Sequence, residues 1–244
     1  VIHYHGTPCG GQRMEAARFL FGRHALVPFP RPEDLALVLS ACRSFVVDNG
    51  AFSIWRKGGT LDYAGYVSWV SSFCWHPGFD WALIPDVIDG TEKDNDAMLA
   101  DWPSGIAGAP VYHLHESLDR AERLANEWPV VAIGSSGDWP TPGNASWCER
   151  MALVMDAVTD REGRPLCKLH GLRMMNPSIF KKYPFRSVDS TNCAQNATRN
   201  GKRIDQHLTS GQGAIITAWR IEAHQSPPVW DGGSMDTNEE GSLF

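Results

Sequence analysis

The sequence predicts an α/β protein folded as a single-domain (β/α)8 barrel of the TIM type. Three observations predict it. Eight short apolar runs alternate with helix-like segments along the chain, no repeat or low-complexity tract interrupts them, and 244 residues suit one closed barrel of ~250. Such alternation means parallel strands joined by helical crossovers. A doubly wound open sheet is disfavoured, because Gly10-Gly11 follows a loop and lacks the GxGxxG spacing of a phosphate-binding first turn.

The strands are expected at Ile2–His5, Ala25–Pro28, Ser44–Val47, Trp81–Ile84, Pro110–Leu114, Val130–Ile133, Cys167–His170 and Arg186–Val188. The helices are expected at Gly11–Phe21, Pro32–Ala41, Leu61–Cys74, Thr91–Trp102, Ser117–Trp128, Asn144–Val158 and Pro177–Lys181. Several helices carry start signals: Asp62, Thr91 and Ser117 stand at capping positions, with acids following in the first turn after Thr91 and Ser117. Residues 1–224 form the expected barrel. Residues 225–244 are polar, acidic and rich in Pro and Gly, and read as a loosely structured tail.

Composition is that of an ordinary globular protein, 43% hydrophobic and 20% charged, which excludes a fibre, a coiled coil and a wholly disordered chain. No apolar run reaches the ~20 residues of a membrane span, and no secretory signal is visible at Val1–His5. The six cysteines are scattered without a CxxC pair, so free thiols in a reducing compartment are expected. These features place the protein in the cytoplasm, the host's in the case of a phage-encoded chain. The net charge of −6 conceals an asymmetry: residues 160–205 hold ten Lys and Arg against four acids. A basic region on an acidic protein suits a phosphate-bearing partner.

In a barrel, functional groups gather at the C-terminal ends of the strands. Asp48, Asp86 and Asp189 fall at three such ends, His3 and His5 at the first, His113 and His115 at the fifth, and His170 at the seventh. A single Asp there is commonly a turn or helix cap. Three on one rim repel one another in a partly dry cleft, which raises at least one pKa and divides the set into nucleophile, acid/base and substrate anchor.

The order of these blocks resembles the tRNA-guanine transglycosylases, barrel enzymes that exchange guanine for a 7-deazaguanine. Asp48-Asn49-Gly50-Ala51-Phe52-Ser53 is similar to that family's Asp-Ser-Gly-Gly-Phe-Gln, and Val131-Ala132-Ile133-Gly134-Ser135-Ser136-Gly137 to its Ala-Ile-Gly-Gly. His170-Gly171-Leu172-Arg173 with Asn176-Pro177 parallels its Leu-Met-Gly-Val-Gly-Thr-Pro, and Thr198-Arg199-Asn200-Gly201 resembles the run after the nucleophile. The resemblance spans residues 45–201 and implies roles. Asp189 is the nucleophile on C1′ of the sugar, Asp48 the general acid/base, and Asp86 the acceptor for guanine N1–H and its amino group. Gly134 and Ser135 contact the base through the backbone, and Phe52 or Met174 packs on the ring. His113 or His115 contacts substrate.

No cofactor and no metal are implied. The partners are DNA or RNA and a free 7-deazaguanine base, with Arg199, Lys202, Arg203, Lys181 and Lys182 as phosphate contacts and Trp55 and Trp139 as stacking platforms. The chain departs from the tRNA enzymes in lacking a Cys-rich zinc site after the nucleophile, in its shorter length, and in Ser53 where they have Gln. It is therefore most like the compact phage and bacterial branch that inserts 7-deazaguanines into DNA. The alternative is a metal-dependent, amidohydrolase-like barrel using His3, His5, His113 and Asp189, although the sixth strand lacks the required His.

Overall fold

The computed structural model describes residues 1–7 and 13–232. Among them runs a sheet of nine parallel segments: β1 Ile2–Gly6, β2 His24–Pro28, β3 Ser44–Asp48, β4 Phe79–Leu83, β5 Gly108–Ala109, β6 Val111–His113, β7 Val130–Gly134, β8 Lys168–Gly171 and β9 Ser187–Ser190. Their order is β5-β4-β3-β2-β1-β9-β8-β7-β6. The two edges, β5 and β6, are one strand interrupted at Pro110, so the sheet closes on itself as the expected barrel. Proline has no N–H to give the ladder. The Pro110 carbonyl still accepts from Ala132, while Ala109 accepts from Ile84 on the other side, and the joint holds.

The helices are α1 Arg13–Leu20, α2 Leu35–Ala41, α3 Ala51–Trp55, α4 Tyr63–Ser71, α5 Glu92–Ala100, α6 Leu118–Glu127, α7 Ala145–Val158, α8 Pro177–Phe180, α9 Asn192–Gln195, α10 Ala197–Ile204 and α11 Ser210–Glu222. The capping residues act as expected. Asp62 accepts from Gly65 N, Ser117 from Arg120 N, and Thr91 forms a reciprocal box with Asp94. The expected helix Pro32–Ala41 opens as a 3-10 turn, Pro32–Asp34, and the expected start of the first helix at Gly11 lies outside the described residues. Four helices were not expected: α3, α9, α10 and α11.

Alternation along the strands divides the apolar side chains into two layers. Tyr4, Leu26, Val46, Trp81, Leu83, Ala109, Val111, Val130 and Ala132 fill the barrel interior. A larger set, including Phe19, Val47, Leu124, Trp147 and Val188, packs strands against helices. Low in the interior, the Tyr4 hydroxyl donates to Asp80, which also accepts from Ser44, in a floor next to a bulge in the β3–β4 pairing. Parallel register carries the facing rule from strand to strand. Tyr4 is level with Asp189, which faces inward with it, whereas His3 is level with Val188 of the outer layer.

Of the segment read as a tail, residues 225–232 lie among those described and run along the outer layer. The Ser226 hydroxyl donates to Phe180 O, and Trp230 is buried, stacks on Tyr183 and donates to Asp156. Residues 233–244 lie outside the described residues, as does Cys9. None of the five described cysteines is in a disulfide, and no described helix is long and apolar enough to cross a membrane.

Candidate active site

The C-terminal ends of the strands surround a cavity of about 790 Å³. Asp48, Asp86 and Asp189 all line it, together with Phe52, His113, His115, Gly134 and Ser135. Three acids from separate parts of the chain therefore meet at one rim, each placed by its strand. Asp48 closes β3, Asp86 follows β4 by three residues, and Asp189 lies in β9.

Asp48 is held by the turn that follows it. Its Oδ1 accepts the Gly50 N–H at 2.9 Å. Gly50 sits at φ 75°, and a Cβ there would collide with the Pro30 ring, so the turn requires glycine. Burial raises the Asp48 pKa, and the charges of Asp189 and Asp86 raise it further. The Gly50 hydrogen bond and the Arg173 charge oppose them only in part, leaving the group at about 6.

Asp189 is held from below and from the side. Its Oδ1 accepts from His170 Nε2 at 3.2 Å and from the Arg173 N–H at 2.9 Å. Facing a carboxylate, His170 carries its proton on Nε2, and its Nδ1 then accepts from the Ser187 hydroxyl at 2.9 Å. His170 is wholly buried between Tyr4 and Trp81. Among the described residues Oδ2 of Asp189 accepts no hydrogen bond. One oxygen is fixed, the other free: the disposition a carboxylate nucleophile needs.

Asp86 is bound at both oxygens. Oδ1 accepts from Asn49 Nδ2 at 3.1 Å and Oδ2 from His113 Nε2 at 2.9 Å. Asn49 is itself buried and also bridges Ile84 O and Ala51 N. The His113 backbone N–H donates to Glu116, which pairs with buried Arg120 and takes a bond from Asn95. His115 stacks on His113, ring centroids 5.5 Å apart, and its Nδ1 meets the Ser136 hydroxyl at 2.8 Å. The Ser135 hydroxyl is committed to Trp147 Nε1 at 2.9 Å.

Other expected site residues are placed differently. Met174 does not line the cavity; it is fully buried under Gly171 in the outer layer. Lys181 and Lys182 follow α8, which descends toward the start of β9. Ser226 bonds Phe180 O, and Gln225 bonds the N-terminus of Val1 at the start of β1, so these lysines lie at the end of the barrel opposite the cavity. Arg199, Lys202 and Arg203 are exposed on α10, between the C-terminal end of β9 and α11, and are on the rim side without lining the cavity. Trp55 lines the cavity; Trp139 does not, and lies under the Arg150 guanidinium.

His3 and His5 point outward. His3 meets Phe180 edge-on, while His5 packs on Phe19 and bonds Glu222 at 2.8 Å. They are thus separated from Asp189 by the wall of the sheet, which removes the ligand set of the amidohydrolase-like alternative. Among the described residues no group of three or more His, Cys, Asp or Glu is arranged to hold a metal. The sequence places His170 at the rim without giving it a partner, and gives Asn49 and Arg173 no part in the site; the side-chain directions of Asn49 and His170 and the backbone angle of Arg173 reveal their contacts.

No protein-family model matches the chain, and no curated protein matches it in sequence. Its fold is similar to that of a proposed fructose-1,6-biphosphate aldolase from Coccidioides immitis, with TM-score 0.53 and 12% identity over 91% of this chain and 89% of that one. It is also similar to the YdjI aldolase from Escherichia coli K12, with TM-score 0.51 and 12% identity over 93% and 91% of the two chains. At this identity the likeness establishes the barrel fold and nothing about the reaction.

Proposed function

We propose that the protein is a pentosyltransferase that replaces guanine in nucleic acid, DNA in the first instance, with a 7-deazaguanine through a covalent Asp189–sugar intermediate. The observation that carries this reading is the meeting of Asp48, Asp86 and Asp189 in one cavity, each in a different environment. The cavity's size suits a nucleobase with part of its sugar, within the ~300–1,000 Å³ of ordinary ligand sites.

The free Oδ2 of Asp189 attacks C1′ while the bond from C1′ to guanine N9 breaks and its electron pair leaves with the base. Asp48 in its acid form gives the departing guanine a proton. A carboxyl at about 6 holds substantial populations of both forms near neutrality, which suits a group that must first give and then take a proton. The incoming 7-deazaguanine loses its N9 proton to Asp48, N9 attacks C1′, and the ester to Asp189 breaks. Two inversions retain the configuration at the sugar, as in a retaining glycosidase. Asp86, braced by His113 and Asn49, accepts from guanine N1–H and the 2-amino group, a donor pair adenine lacks. Phe52, exposed at the mouth, borders the opening through which the base enters. The target base must leave its stack to enter, so the strand is single or the nucleotide is flipped.

The test is incubation of the protein with guanine-containing DNA and RNA and a series of 7-deazaguanines, followed by nucleoside mass spectrometry. The proposal expects a deazaguanine nucleoside in the polymer and an equal amount of free guanine. Unchanged polymer in both nucleic acids with every base in the series refutes it.

A further inference from the structure

Arg173 is the one Lys or Arg that lines the cavity among the described residues, and it stands there against Asp48, Asp86, Asp89 and Asp189. Other arginines spend their guanidinium groups on the fold: Arg23 on Glu222, Arg120 on Glu116, and Arg150 on the carbonyls of Leu114 and Glu116. Arg173 makes no salt bridge with any described carboxylate. Its guanidinium lies over the Phe52 ring, 4.9 Å from the centroid, and its side chain is exposed.

The backbone there is unusual too. Arg173 has φ 60°, the left-handed region, and is the one non-glycine residue in it among those described. That conformation sends the N–H to Asp189 Oδ1 while the side chain turns back across the mouth. Strain of this kind persists where the surroundings over-determine it, and it gathers at working sites.

An acidic cavity repels a polyanion, so a strand that feeds a base into it needs a cation at the entrance. The geometry points to Arg173 as the phosphate anchor of the target nucleotide: its guanidinium takes the phosphodiester flanking the flipped sugar, while its own N–H holds the nucleophile. This inference rests on the base-exchange reading. Stacking on Phe52 keeps the planar fork pre-set for two parallel hydrogen bonds to phosphate oxygens. Because one residue touches both the phosphate and Asp189, the sugar between them is brought to the nucleophile with C1′ facing it.

Arg173→Gly tests the anchor, because it removes the guanidinium, relieves the backbone and keeps the N–H donor; losing the charge also lets the Asp48 pKa rise, which moves the pH profile of kcat and not KM for the strand. For a guanine-containing oligonucleotide at low salt, KM should rise about tenfold, the worth of one charged hydrogen-bonding group. KM for the free deazaguanine should hold within about twofold, and kcat at saturating strand should fall far less than KM rises. By fluorescence anisotropy with a single-stranded oligonucleotide, the slope of log affinity against log salt should shrink by ~0.7, the signature of one lost phosphate contact. An unchanged KM and salt slope in a variant of an exchanging wild type overturns the anchor and leaves the base-exchange reading standing. A fall confined to kcat also overturns it, reducing Arg173 to a support for Asp189. A wild-type protein that exchanges no base in any strand overturns the base-exchange reading itself.

Discussion

Asp48 and Glu222 are both carboxylates withdrawn from water, and the barrel treats them in opposite ways. Glu222, at the end of α11 in the outer layer, receives His5 Nε2 at 2.8 Å and Arg23 Nε at 2.9 Å. Burial alone would raise its pKa, but the His5 hydrogen bond, with the His5 and Arg23 charges, brings it below 4.5. Asp48, at the mouth of the inner face, has two acids as neighbours and one backbone N–H, and goes up to about 6. Where a carboxylate serves the fold it is neutralised by a partner. Where it is left to change charge, the partner is withheld.

Substitutions at the two carboxylates and their neighbours separate these treatments. The largest effect is expected from Asp189→Asn, which keeps the shape but removes the nucleophile. Exchange should fall at least ~1,000-fold in a nucleoside assay, with the melting temperature little changed. A variant that retains a tenth of the activity would move the nucleophile elsewhere.

Asp48→Asn should lower exchange by ~100- to 1,000-fold, and it carries a pH signature. The folded value of about 6 lies above the ordinary 3.8, so folding favours the protonated form. The stability this gives is full below 3.8 and is lost as pH rises through about 6. Asn cannot ionise, so the variant should gain on the wild type between pH 4 and 7 by roughly 2–3 kcal/mol, read from denaturant melts at both pH values. Equal stabilities at the two would show that Asp48 is not held in its acid form.

A smaller effect is expected at His113→Ala, which leaves Asp86 with Asn49 as its remaining partner. KM for the free base should rise about tenfold, with kcat less affected. Glu222→Gln should leave exchange kinetics alone and cost about 1–2 kcal/mol at pH 7. Because the Glu222 pKa is lowered, its stabilisation is present above 4.5 and is lost as pH falls through the folded value, so wild type and variant should converge in acid. A rate defect in Glu222→Gln would join the outer layer to the site and end the contrast.

Much of this architecture was legible in the sequence for a simple reason. Parallel strands buried on both faces read as apolar runs, as Val130–Gly134 does, and the three acids stand where such runs end. Facing was harder. His3 and His5 flank Tyr4 on a strand whose inner and outer positions both bear aromatic or polar side chains, so alternation gave no sign of which side was inside. Helix α11 carries Gly211 and Gly213, poor helix formers that blur its pattern; Gly213 lies against Gly201 of α10, where a Cβ would meet the Ala197 carbonyl and the Gly201 backbone. Lys181 and Lys182 are basic and lie within the same charged stretch as Arg173, but linear sequence does not say which end of a barrel a turn occupies. Nothing in the sequence gives Arg173 a task, since its place rests on a backbone angle and a ring beneath it.

If Asp189 is the nucleophile, it carries the sugar as an ester while the base is exchanged. Mass spectrometry of the denatured protein, after brief incubation with a short guanine-containing DNA strand, would reveal that ester. A mass increase equal to the strand less its guanine is expected, mapped by peptide sequencing to Asp189 and absent from Asp189→Asn. Exchange that proceeds with no protein–DNA adduct, or an adduct on another residue, would contradict it.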